Sequence, residues 1–307
     1  MERVKRWLGL QKPESWAGKR VIFCGCSQGL GREAVLYLAK QGANLLLVSR
    51  SENALKELSK ECLALGAPTV HIHPADLSSP ASSTTLYRTA TKHFIQIDAV
   101  FLNHLNVCPP TFAAVNTDEE IRLAIDLNLT SMIHLVRDAL PFLEETGGML
   151  VYSASASTQL PLPGLSLYRA VKSAMEAYLS SLHQELTLLS SPLTLTSCII
   201  GGVQTESFHR GIGSIAKSQN ALIKFPEFAI KSAASPVSAG KFLVDSGAKR
   251  VRYAYGPDYV AASSGEVLHY LPSVAGWVAR SLPIISQEVY RKVREALGEA
   301  RRRLSDS

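Results

Sequence analysis

From Lys19 onward, short apolar runs alternate with longer amphipathic segments, and nothing else in the chain constrains its fold as strongly. The apolar runs cover residues 20–24, 44–48, 69–73, 98–102, 149–152, 193–200 and 251–255. Helical spacing covers about residues 30–41, 52–65, 81–93, 118–144 and 167–189. Gly42 and Gly66 stop the first two helices at the position where a left-handed residue ends them.

Strands of four to eight residues alternating with helices of twelve or more read as βαβ units. Right-handed crossovers then build a parallel sheet buried on both faces. The expected class is α/β, a doubly wound parallel sheet of the Rossmann type, single-domain, with a C-terminal extension. The domain spans 19–256, after a basic tail at 1–18 and before the extension at 257–307. A ligand is expected at the carboxyl ends of the strands, near the point where the strand order reverses.

Apolar residues make up 46 % of the 307 and charged residues 19 %, which excludes a disordered chain and allows a large core. The net charge of +6 is unevenly spread. Residues 1–20 carry +4 and residues 291–307 carry +3, so the body between them is −1. A nucleic-acid partner is therefore not expected, because the body has no basic excess of its own. Basic tails fit solvated ends or contact with an anionic membrane surface. The five cysteines (24, 26, 62, 108 and 198) form no metal-ligand spacing, and reduced thiols in an intracellular protein are expected. The N-terminus has no apolar core of a secretory signal, and no run of 18 apolar residues predicts a membrane-spanning helix.

Two segments depart from the alternation. Residues 206–235 mix Phe208, Ile212, Ile215, Phe225 and Phe228 with Gly, Ser and Lys, and read either as a lid or as a pair of short core helices. Residues 267–285 are apolar, with Trp277, and are interrupted by Pro272 and Pro283. They read as an interfacial segment or as packing on the body or on a second subunit.

The turn after the first strand holds Gly25, Ser27, Gln28, Gly29, Leu30 and Gly31. Following a strand and opening a helix, its glycines let the backbone approach a pyrophosphate that the helix N-terminus stabilises. Ser49-Arg50 ends the second strand, and an arginine there suits a 2′-phosphate, favouring NADP over NAD. Asp76-Leu77 follows the third strand, where Asp76 can accept from an adenine amino group, cap the next helix, or both. Tyr168 and Lys172 lie four apart on one helix face. A lysine one turn away favours the phenolate, so the tyrosine can exchange a proton with a substrate oxygen near neutral pH. Ser155 lies 13 residues earlier, at the end of the fifth strand.

With these motifs, residues 19–256 are identified as resembling the short-chain dehydrogenases/reductases. The resemblance implies a catalytic tetrad of Asn128, Ser155, Tyr168 and Lys172. It implies that Asn128 supports a proton-relay water, Ser155 polarises the carbonyl, Tyr168 is the acid/base, and Lys172 holds the nicotinamide ribose. It further implies cofactor contacts from Asn103, His104, Val203 and Thr205. The usual Thr-Gly opening is Cys24-Gly25, and the usual Asn-Asn-Ala-Gly is Asn103-His-Leu-Asn106. Asn103-His104, Leu65-Gly-Ala67 and residues 202–206 are similar to the 11-beta-hydroxysteroid dehydrogenase type 1 subgroup, whose members use NADP and bind steroids.

The expected activity is therefore interconversion of a ketone and a secondary alcohol on a hydrophobic substrate, a steroid or another lipid, with NADP(H). A 3-ketosphinganine reductase is the alternative enzyme. An NADP(H)-binding sensor or scaffold without turnover is the alternative of another class. A homodimer or homotetramer, and a location in the cytoplasm or peripheral at the endoplasmic reticulum membrane, complete the expectation. The eight histidines show no ligand spacing, so no metal is expected.

Overall fold

The structure, a computed structural model, describes residues 12–105, 116–158, 165–206, 208–209, 233–257, and 295, 298 and 302. Asn106, Cys108, the segment 267–285 with Trp277, and most of 206–235 lie outside the described residues.

Seven strands form one sheet in the order β3-β2-β1-β4-β5-β6-β7. They are β1 (Arg20–Cys24), β2 (Asn44–Ser49), β3 (Val70–Pro74), β4 (Ala99–Leu102), β5 (Met149–Ser155), β6 (Thr194–Ile200) and β7 (Tyr253–Tyr255). All six pairings are parallel. This is the doubly wound sheet that the alternation dictates, with the order reversing between β1 and β4. Between the strands lie α1 (Gly29–Lys40), α2 (Glu52–Ala64), α3 (Pro80–His93), α4 (Asp118–Ile125), α5 (Ser131–Thr146), α6 (Ser166–Leu188) and α7 (Pro236–Ala248).

The central strands are apolar on both sides because helices cover both faces. On one face Leu46, Val100, Leu150 and Leu195 pack with Leu86 of α3, Leu135 of α5 and Leu179 of α6. On the other, Leu45, Phe101 and Val151 pack with Leu38 of α1, Leu58 of α2 and Leu243 of α7.

Three differences from the sequence reading have physical causes. The helix expected over 118–144 is broken by a π turn, Asp126–Thr130, between α4 and α5. The seventh strand starts at Tyr253, because Arg250 adopts a left-handed φ of 51° and turns the chain before it. Residues 12–18, placed by charge in a tail, pack on the body. Trp16 is buried, 5.6 Å from Phe101, and Glu14 donates its amide to Ala248 and pairs with Arg250.

Helix α7 went unread because Gly240 and Gly247 lower its helix propensity. The glycines serve packing instead. A Cβ on Gly240 would stand 2.6 Å from the backbone nitrogen of Ala34, so α7 and α1 touch there through their backbones.

Candidate active site

The site is built on the carboxyl ends of β1, β4, β5 and β6. The Gly-rich turn leaves β1 at Gly25, whose φ of +86° is a left-handed conformation that side chains disfavour. A Cβ on Gly31 would stand 2.1 Å from the Gly25 carbonyl oxygen, so the turn closes on itself only with glycine. Asn103, at the end of β4, donates from Nδ2 to that same oxygen at 2.7 Å and clamps the turn to the adjacent strand.

The N-cap of α1 is Gln28, which makes no side-chain capping bond. The first-turn amides of a helix have no acceptor within it, so those of Gly29, Leu30 and Gly31 face the loop as donors fit for a pyrophosphate. Ser27 is half-buried beside them, and Leu30 leans on the core. Across the turn, the methyl of Thr205 would lie 3.0 Å from a Cβ on Gly29. Val203 bridges Ala234, and Gln204 donates its amide to the Ala234 carbonyl at 2.9 Å, fixing the chain after β6 over the turn.

At the far end, Ser49 is buried and Arg50 is exposed with no ion pair among the described residues. The Asp76 carboxylate accepts the Ser78 amide at 3.0 Å. That bond, the Ser78 side chain and the charge of Arg50 hold it below the usual carboxylate range. Asp76 is thus not the cap of α3. Ser79 occupies that position, with Pro80 after it, and Asp76 closes a short turn just ahead. Leu77 is buried in the core, so only its backbone can reach a ligand.

Ser155 ends β5 and is buried. Its oxygen accepts two hydrogen bonds from Ser157, one from the amide at 3.2 Å and one from the hydroxyl at 3.0 Å. Its own hydrogen is left to point elsewhere. The sequence reading missed Ser157, and it missed Arg169, which donates from Nε to the Ser157 carbonyl at 2.9 Å. The arginine ties the short 3-10 turn Ala156–Thr158 to α6. The visible signal was spacing: Ser155 and Ser157 flank a single alanine at a strand end, and Arg169 adjoins Tyr168.

Tyr168 and Lys172 lie one turn apart on α6. Tyr168 is half-buried against Ala124 and Val171. Lys172 is buried, donates from Nζ to the Ser153 carbonyl at 2.8 Å, and stands 4.9 Å from the centre of the Tyr152 ring. Asn128 is fully buried within the π turn, which packs against α6. His104 is also buried. Burial first, and the charge of Lys172 second, push its imidazole down to about 3.

Behind Lys172, burial raises the carboxyl of Glu176, against the charge of Arg252 and a bond to Ser197. Arg252 donates from Nη1 to the Ser197 hydroxyl at 2.8 Å. Cys24 and Cys26 flank Gly25 as fully buried thiols, and burial pushes Cys26 up to about 12, so both are packing groups.

A family model described as short chain dehydrogenase matches residues 19–211. The chain is 33 % identical over 249 residues to a hydroxysteroid 11-beta-dehydrogenase 1-like protein of Xenopus tropicalis, covering 81 % of this chain and 82 % of that one. It is 31 % identical over 286 residues to the protein of that name in Gallus gallus, covering 92 % and 91 %. Among solved structures it matches an alcohol dehydrogenase of the archaeon Thermococcus sibiricus, complexed with 5-hydroxy-NADP. The TM-score there is 0.63 at 21 % identity, covering 73 % of this chain and 87 % of that one, a likeness of fold.

Proposed function

The chain belongs to the short-chain dehydrogenase family, oxidoreductases of the CH–OH/C=O couple, and is related to its 11-beta-hydroxysteroid dehydrogenase type 1 subgroup; from that premise we propose that it uses NADP(H) to interconvert a ketone and a secondary alcohol on a steroid or other lipid. The observation that carries this reading is the pairing of Ser155 with Ser157. It fills the acceptor side of the Ser155 hydroxyl and leaves its hydrogen for a substrate oxygen.

The cofactor would be held by Gly25, Gly29, Gly31 and the first-turn amides of α1 at its pyrophosphate, with Arg50 at the 2′-phosphate. Thr205 and Val203 would lie along its nicotinamide end. When bound, NADPH supplies the hydride that reduces the carbonyl carbon. Ser155 donates its hydroxyl hydrogen to the carbonyl oxygen and stabilises the charge that develops there. Tyr168 gives that oxygen its proton. Lys172, anchored on the Ser153 carbonyl, keeps a positive charge beneath the site. Asn128, in the π turn against α6, supports the return of a proton to Tyr168.

Self-association as a dimer or tetramer through α4, α5 and α6 completes the proposal. It is supported by Ile121, Leu123 and Ile125, which α4 leaves 37 %, 45 % and 40 % exposed. Among the described residues no helix is long and apolar enough to cross a membrane. The basic ends of the sequence support peripheral contact with an anionic membrane such as that of the endoplasmic reticulum.

A ketone panel read by NADPH absorbance tests the function, with steroid and sphingoid ketones side by side and Tyr168→Phe as control. Turnover on a steroid ketone, lost by about 10²-fold or more in the variant, is expected. Turnover confined to sphingoid ketones favours a 3-ketosphinganine reductase. NADPH binding with no turnover on any ketone overturns the enzyme reading in favour of a sensor or scaffold.

A further inference from the structure

Ser131 opens α5 directly after the π turn. Its amide bonds to the carbonyl of Asp126, five residues back, where an α-helix would reach only four. In an unbroken helix that amide would serve the carbonyl of Leu127. Here the Ser131 hydroxyl takes its place, donating to Leu127 at 2.7 Å. The single hydrogen of the hydroxyl is thereby committed, so its oxygen can only accept from a third group.

That group is His104, whose Nε2 lies 3.0 Å from Ser131 Oγ. Nε2 must then carry the hydrogen, and Nδ1 is left as an acceptor, buried and with no hydrogen-bond partner among the described residues. The ring is also fixed from its backbone. The Cα and amide nitrogen of His104 lie 2.5 Å from the place a Cβ on Gly25 would occupy, so His104 is wedged against the Gly-rich turn. A chain of contacts thus runs from that turn, through the imidazole and the serine hydroxyl, to the carbonyl that the π register releases.

We infer that His104 is a positioning residue for Asn128: its Nε2–H orients the Ser131 hydroxyl, which holds the π turn in the register that buries Asn128 beside α6. This role rests on the place proposed above for Asn128 in proton return. A ring that only lined the cofactor pocket would have no need of a serine hydroxyl already committed to a backbone carbonyl. The imidazole is a neutral strut rather than a proton carrier, because burial and Lys172 disfavour its charged form.

Two measurements on the full chain decide it. Nitrogen NMR of the protein labelled at histidine should find His104 as the Nε2–H tautomer, with no titration between about pH 5 and 8. Ser131→Ala should abolish that preference. An Nδ1–H tautomer, or titration near the ordinary histidine value, overturns the proposal whether or not a substrate has been found. In kinetics, His104→Leu and Ser131→Ala should each lower kcat about tenfold, the scale of one hydrogen bond. The NADPH dissociation constant of Ser131→Ala, which lies outside the cofactor contacts, should stay within about twofold. The double variant should be no slower than the worse single. His104→Gln, whose side-chain amide can donate from the Nε2 position, should recover part of the rate lost in His104→Leu. Additive losses in the double variant, or His104→Gln as slow as His104→Leu, overturn the proposal.

Discussion

Ser157 donates twice to the hydroxyl oxygen of Ser155, once from its amide and once from its own hydroxyl. The second bond can be deleted without touching the first. Ser157→Ala should lower kcat by about three- to tenfold, the effect of one neutral hydrogen bond, and leave the NADPH dissociation constant within about twofold. Steady-state kinetics with a turned-over ketone checks this. An unchanged kcat would mean that the substrate, not Ser157, orients Ser155.

Arg50 stands exposed beside Asp76 at the end of β2. If its guanidinium meets a 2′-phosphate, Arg50→Ala should weaken NADPH by about 1.5–3 kcal/mol, the range for bonds to charged groups. NADH should hardly change. Titrating both cofactors into both proteins gives the answer, and equal losses for the two would remove Arg50 from cofactor choice.

Gly240 brings α7 onto the backbone of α1, where a Cβ would also stand 2.9 Å from the carbonyl carbon of Glu33. Gly240→Ala gains up to about 1 kcal/mol of helix propensity but overpacks the contact at a cost of about 1–3 kcal/mol. A net loss of about 1 kcal/mol should lower Tm by about 2–4 °C for a domain of this size. A melting temperature at or above that of the natural chain would show that the two helices can separate freely.

Asp98 accepts from Arg20 Nε at 2.6 Å, from Nη2 at 2.9 Å and from the Arg20 amide at 2.8 Å. Burial pushes its carboxyl up, but these bonds and the charges of Arg20 and Lys19 outweigh it and hold it below the usual value. A depressed carboxylate stabilises the fold above its unfolded pKa of about 3.9 and loses that contribution as pH falls through the folded value. Asp98→Asn should therefore be less stable to urea at pH 7. The gap from the natural chain should close as pH falls from about 5 toward 2. A gap that stays constant with pH would show that the charge of Asp98 contributes nothing.

Peripheral membrane contact predicts flotation of the intact protein with anionic vesicles at low salt, weakened at high salt. Removal of residues 267–307, which takes away the apolar segment and one of the two basic ends, should weaken it. Intact protein that stays with the soluble fraction at low salt on anionic lipid rejects the contact.

The readable parts of this molecule are those whose constraint is local. The glycines from Gly25 to Gly31 announce a turn no side chain could make, and Tyr168 with Lys172 announces one helix face. The parallel sheet follows from the alternation alone. Ser157 and Arg169 are marked in the sequence only by their nearness to Ser155 and Tyr168, because their partners are a hydroxyl and a carbonyl brought near by the fold. The π turn was hidden because one extra residue in a helix barely disturbs the pattern of apolar positions. Trp16 sits in a stretch whose charge says tail, and only Phe101 and Gly247 reveal why it is buried.

The clasp between Glu14 and Arg250 sets the direction from which the molecule can be held. Arg250 also donates to the carbonyl of Gly147, just before β5, and Thr194 opens β6 within its reach. Residues 12–18 are therefore stapled where the strands begin, while Gly25, Ser155 and Thr205 gather where they end. The five to seven residues of β1, β5 and β6 separate the two poles by about 20 Å. A bead, a fusion partner or a lipid surface gripping the chain at its amino-terminal side would leave the mouth of the site facing outward, toward whatever arrives from solution.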